Sequence, residues 1–297
     1  MALTGWEVAQ LLARWLMYFG VLSVVGGLFS FYLLRHQSRL LDQIKWYVLV
    51  GAFVGGLSSA AYFFVLVGTT MEDGLLAMFD PEMVSIYWGS PAGSVLFVNL
   101  IGYMSVLIAL LLLGKKRKDT LWPFSDFSLS IFVVAVVFLM YAFSLAGHSV
   151  EQTWYYQLIF FTHVLISAWW LGLLFPLWLA TKNMTVKDSS NVLDHFSRLA
   201  TYAVFLLILC GAWLSYVLTG WQGWFSSDYV FWLLIKLALV FVILAIAAYH
   251  KWHLVPLVLK SNSAEKIQKS ILIEKCVGVS ILMVTALFTT FVGPPVH

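Results

Sequence analysis

Eight apolar runs succeed one another along this chain, each long enough to cross a bilayer, with short polar segments between them. They occupy approximately Glu7–Leu34, Lys45–Gly68, Gly93–Gly114, Phe127–Gly147, Gln157–Ala180, Arg198–Gly220, Tyr229–Tyr249 and Ile271–Val292. A helix that crosses the hydrocarbon layer needs roughly 20 mostly apolar residues. Water is absent there, so the backbone must satisfy its own hydrogen bonds, and such runs become helices. Composition closes the soluble alternative. Charged residues make up 10% of the chain and hydrophobic residues 62%, against about 25% charged in an ordinary soluble domain. The expected fold is all-α, a bundle of eight transmembrane helices. Residues 1–297 read as one transmembrane domain, with no soluble domain, long linker or convincing internal repeat. The first run is too long for a removable signal peptide and lacks a small-residue cleavage site, so it reads as retained.

Loop charge gives an orientation. Arg35, Arg39 and Lys45 follow the first run, and "KKRK" (Lys115 to Lys118) follows the third. Lys182, Lys187 and Arg198 flank the segment after the fifth. Lys251, Lys260, Lys266, Lys269 and Lys275 surround the one after the seventh. The alternate segments contain no Lys or Arg, and one of them, "MEDGLLAMFDPEM", is acidic. Basic residues collect on the cytoplasmic side, so both termini are expected in the periplasm, with the chain in a bacterial inner membrane. The net charge of +3 reflects this sidedness and contact with anionic lipid, not a nucleic-acid partner.

Ionisable groups inside spans are costly and therefore informative. Arg14 lies about 10 Å along a helix from Glu7, and Lys236 about 12 Å from Asp228. Both read as structural or topological charges that pair with a carbonyl or an acid, or reach toward water. Glu274 lies nearer a span edge. No Asp or Glu occupies the middle of a span, which counts against a central carboxylate relay.

The histidines carry more chemistry. His148 closes the fourth run, and His163 lies inside the fifth, roughly 9 Å below the same outer mouth. A short outer segment joins these runs, so their helices are expected to be antiparallel neighbours. Neutral imidazole is the commonest metal ligand, and two at staggered depth form a path for an ion. Met140, at i−8 from His148, offers a thioether at comparable depth. Imidazole and thioether donors suit copper, especially Cu(I). A lone histidine on an apolar face is more often a satisfied core residue, and the pairing raises the metal reading only to parity.

Met71, Met78 and Met83 stand in the acidic outer segment, which reads either as a copper-collecting surface or as an ordinary loop with an amphipathic turn. Trp170, at i+7 from His163, is first a packing residue. Cys210 and Cys276 form no CxxC and read as packing residues. No catalytic constellation, P-loop or phosphorylation motif is present, so the chain reads as a non-enzyme.

Several stretches look familiar in combination: "LARWLMYFG" in the first run, "AGHS" closing the fourth and "THVLISAWWLGLLFPLW" in the fifth. "HFSRLA", "WLLIKLALVFVILAIAAYHKWHLVP" and "IEKCVG" follow in order. Together they resemble the CopD copper-resistance membrane proteins over nearly the whole chain, most densely from Gly147 to Pro256. The resemblance implies copper as the cofactor or cargo, movement of copper across the membrane, and a periplasmic copper-binding protein as partner. By it, His148 and His163 match the family's outer histidines, and Arg14, Lys236 and Glu274 its intramembrane charges. The chain departs from the family pattern at "YHKWHLVP", where His250 and His253 are extra candidate inner-side ligands, and at Asn99.

Three functions remain at this level. The first is an inner-membrane protein that captures copper at the periplasmic side and moves it across. The second is a membrane copper chaperone or assembly factor that does not transport. The third is a haem-binding electron-transfer bundle, which the staggered depth of His148 and His163 disfavours.

Overall fold

Small polar residues start several of the helices. Thr4 and Glu7 form a capping box at the first: the Thr4 hydroxyl accepts from the Glu7 N–H at 3.2 Å, and the Thr4 N–H donates to Glu7 Oε2 at 2.7 Å. Asp80 accepts from the Met83 N–H, and Ser90 and Ser125 cap two further starts. The computed structural model describes residues 4–71, 74–113, 124–145, 153–219, 228–261 and 263–292. The helices are α1 (Gly5–Leu33), α2 (Ser38–Met71), α3 (Pro81–Trp88), α4 (Pro91–Leu111), α5 (Asp126–Ser144), α6 (Trp154–Asn183), α7 (Val186–Thr219), α8 (Asp228–Tyr249), α9 (Val255–Ser261) and α10 (Glu265–Phe291). A 3-10 turn, Leu75–Phe79, precedes α3, and a π-helical turn, His250–Leu254, joins α8 to α9. No strand occurs among the described residues.

Among the described residues eight stretches are long and apolar enough to cross a membrane, with α8 counted on through Val258. The chain is an all-α, multi-pass membrane protein. Large apolar side chains point outward along the spans, such as Phe205 at 64% and Phe241 at 74% exposed. A soluble protein would not leave them bare, whereas lipid covers them at no cost.

The spans differ from the sequence expectation at one end. α2 begins at Ser38 rather than Lys45, α7 at Val186 rather than Arg198, and α10 at Glu265 rather than Ile271. All three extensions lie on the side of the basic segments. Hydropathy stops where lipid stops, but a helix continues while packing supports it. Here Leu193 of α7, Leu254, Val258 of α9 and Ile267 of α10 form a buried cluster beyond the apolar runs.

The first helix is the hub and packs against α2, α5, α6 and α10. Its crossing with α6 depends on two glycines. A Cβ on Gly26 would stand 2.2 Å from the Gly172 carbonyl carbon, and a Cβ on Gly172 2.0 Å from the Leu22 oxygen. Small residues let membrane helices approach this closely, where packing replaces the hydrophobic drive. Buried hydroxyls fold back on their own helix: Ser30 donates to the Gly26 carbonyl and Ser59 to that of Gly55.

Two prolines shape the spans. Pro176 lies inside α6 and has no N–H for the Gly172 carbonyl four residues earlier. The Tyr47 hydroxyl of α2 supplies that hydrogen bond instead, at 3.0 Å. Tyr47→Phe should therefore cost about 1–3 kcal/mol by orphaning a buried carbonyl. In the Pro176→Ala background, which restores the missing donor, the same change should cost far less. Thermal unfolding of the four proteins checks the coupling, and additive effects would refute it. Pro256 acts similarly beyond α8. It can donate nothing to Trp252, and the preceding turn widens so that the Val255 N–H bonds the His250 carbonyl five residues back.

Candidate metal site and buried polar groups

His163 projects from α6 toward α7. Its Nδ1 is buried and has no hydrogen-bond partner, a condition shared among the described residues only by Trp15 Nε1. An indole N–H can only donate, whereas a neutral imidazole nitrogen can coordinate a metal. The space beside the ring exists because residue 211 is glycine. A Cβ there would lie 3.2 Å from His163 Cε1 and 3.5 Å from Nδ1. Ser167, one turn on, donates its hydroxyl to the His163 carbonyl at 2.8 Å, so it does not serve the ring. The imidazole as a whole is not without polar neighbours: it makes a hydrogen-bonding approach to the backbone of Leu207, and the ammonium of Lys236 lies within electrostatic reach. His163 of α6 thus faces α7, with the Lys236 ammonium of α8 within electrostatic range.

Its expected companions are distributed differently. His148 lies outside the described residues. Met140 is 1% exposed and sits in the main core cluster with Val136, Leu139 and Ala168, a different packing environment from the α7-facing imidazole. Trp170 is buried against Ile243 of α8 and Ile281 of α10. Met71 ends α2 and is exposed, Met78 belongs to the 3-10 turn, and Met83 receives the Asp80 cap at the start of α3. Among the described residues no group of three His, Cys, Asp or Glu side chains is arranged to hold a metal ion.

The other charges within the spans have partners. The Arg14 guanidinium donates to the Thr289 carbonyl at 2.6 Å, to its hydroxyl at 3.2 Å, and to the Tyr62 hydroxyl. It also lies 4.9 Å from the Tyr62 ring centroid. Arg14 therefore ties α1 to α2 and α10, and it places the start of α1 and the end of α10 at the same end of the bundle. Lys236 lies 5.6 Å over the Phe288 ring.

Glu274 is 2% exposed. Its Oε2 stands 3.0 Å from His250 Nδ1, and His250 Nε2 stands 2.6 Å from the Ser270 hydroxyl. His250 thus has both ring nitrogens engaged by α10, and a metal there would have to displace them. His253 stacks on Tyr249, with centroids 5.3 Å apart. The two inner histidines face different partners because they lie three residues apart on a widened turn.

Sequence reasoning missed Gly211, Tyr62, Thr289 and Ser270. The only available signal was the small residue in "LILCGAW", which marks a close approach without saying to what.

Two family descriptions match the chain. "Copper resistance protein D-like, N-terminal domain" matches residues 4–154, just over half of its length, and "Copper resistance protein D" matches residues 190–288. The chain belongs to the copper resistance protein D family. No curated protein and no solved structure matches it. As a CopD-family chain it is a copper-resistance membrane protein. The first match covers α1 to α5 and the position of His148, and the second covers most of α7 and α8 to α10. Most of α6, which carries His163 and packs on α1, lies between them.

Proposed function

We propose that this CopD-family protein binds copper at the periplasmic side of a bacterial inner membrane and carries it toward the cytoplasm. The observation that supports this most is the buried, unpartnered Nδ1 of His163, held open by Gly211. A buried polar atom with no hydrogen bond is normally costly, and a coordinated ion would use it. His148, which follows the preceding apolar run in the sequence, is the second nitrogen donor. The Met71, Met78 and Met83 segment gathers ions on the same side. Met140 joins only if it leaves its core position. Copper here is cargo. The two matched regions act as one unit, because α1 from the first packs on α10 from the second. The potential across the membrane favours cation entry by about 2.3 kcal/mol per charge per 100 mV.

Topology is the first check. A reporter fused after His297 should read as periplasmic, and one inserted near Lys116 as cytoplasmic. The reverse places His148 on the wrong side and removes capture from the periplasm.

Transport is the second check. Vesicles containing the protein should accumulate copper faster than protein-free vesicles, and His163→Ala should abolish the difference. Binding without accumulation identifies a chaperone or assembly factor that hands copper to a periplasmic partner. A Soret band in the purified protein identifies a haem bundle instead.

A further inference from the structure

A lateral cleft opens between α5 and α7, with α1 and α6 as its floor. It encloses about 390 Å³ and is lined by apolar side chains, among them Phe29, Leu129, Val136, Trp169 and Ala203. Tyr32 closes the end nearest the basic segments. The cleft follows α1 from Val25 to Tyr32, about 10 Å at the helical rise, which fits within one leaflet of a roughly 30 Å hydrocarbon layer.

The charge at its mouth is specific. The Arg35 guanidinium lies 4.6 Å over the Tyr32 ring and donates to the Tyr32 carbonyl at 3.2 Å. That fixes its position and uses one of its five N–H donors. Exposed Arg39 follows in the same segment. A guanidinium held at the membrane surface is suited to bidentate contact with a phosphate. An apolar slot that fits within one leaflet, ending at a fixed guanidinium, matches a phospholipid in both parts.

We infer that this cleft is a binding site for an anionic phospholipid of the leaflet beside the basic segments. One acyl chain lies against Phe29 and Trp169, and the phosphate meets Arg35. The lipid completes the α1–α5–α6–α7 packing where α5 and α7 stand apart. This inference is independent of copper chemistry.

Native mass spectrometry of the full chain, released from nanodiscs of equimolar phosphatidylglycerol and phosphatidylcholine, tests it. One phosphatidylglycerol should be retained per chain in preference to phosphatidylcholine. Arg35→Gln should reduce that preference by about fivefold. Ala203→Phe, which fills the slot, should remove retained lipid of both kinds. Lys260→Gln, exposed on the same side, should change nothing. A second measurement does not need a filled slot to fold. Phosphatidylglycerol with brominated chains should quench the tryptophan emission of the wild type more than that of Trp169→Phe. Equal retention of the two lipids, no effect of Arg35→Gln, an equal effect of Lys260→Gln, or equal quenching overturns the site.

Discussion

His250→Ala should destabilise the bundle by about 3–5 kcal/mol, because it strands a buried acid. Glu274 is 2% exposed and meets His250 Nδ1 at 3.0 Å. Removing one partner of such a pair leaves the other desolvated without compensation, which costs more than the intact pair contributes. The companion variants separate this from simple loss of packing. Glu274→Gln keeps a hydrogen-bonding group against the ring and should cost much less. The double variant His250→Leu/Glu274→Leu removes both polar groups and should recover most of the stability lost in His250→Ala. Thermal unfolding in detergent, followed by circular dichroism, reads all four proteins. A double variant no more stable than His250→Ala would show that the packing around the π-helical turn, rather than the stranded acid, sets the loss. The pair also anchors that turn to α10, so His250→Ala should raise protease sensitivity around Lys251–Ser261 first.

His163→Ala should lower copper affinity by more than the 10–100-fold typical of changes around a ligand, because it removes the ligand itself. Its effect on stability should be small, because the residue is only half-buried. The cavity left behind is offset by loss of a polar atom that had no partner. Gly211→Val leaves the imidazole in place and fills the space beside it. With a Cβ already 3.2 Å from Cε1, the ring must turn, and affinity should fall without loss of any donor. Lys236 works in the opposite direction. A fixed ammonium near the ring disfavours a second cation in a low-dielectric interior, so Lys236→Met should bind copper at least as tightly as wild type. Copper titration of the purified variants separates these outcomes. Unchanged affinity in both His163→Ala and Gly211→Val removes His163 from the site.

The span count was legible because hydropathy registers lipid directly, and the eight apolar runs correspond to the eight candidate spans among the described residues. The helix starts at Ser38, Val186 and Glu265 were not, because those turns are held by packing that joins residues far apart in sequence: Leu40, Leu41 and Ile44 in the main core for α2, and Leu193, Leu254 and Ile267 for the other two. Pro176 announced a missing N–H, but nothing local pointed to Tyr47, 125 residues away, as the substitute donor. Glu274 stood out as a buried charge and His250 as an unusual histidine. Their meeting depends on the widened turn before Pro256, which places His250 against α10. His163 was legible as an imidazole in an apolar run. Its orphaned nitrogen and its glycine neighbour exist only once α6 packs on α7.

Copper stoichiometry and affinity, measured on purified protein in detergent at neutral pH, test the central claim most directly when wild type is set beside the His148→Ala/His163→Ala double variant. Imidazole must be deprotonated to bind, so a repeat across the range around pH 6.5, where free histidine protonates, adds a second readout. The wild type should bind copper and lose occupancy as pH falls through that range, and the folded double variant should bind little at any pH. A folded double variant that retains wild-type affinity contradicts the claim and moves the site to the Met71, Met78 and Met83 segment or to His250 and His253.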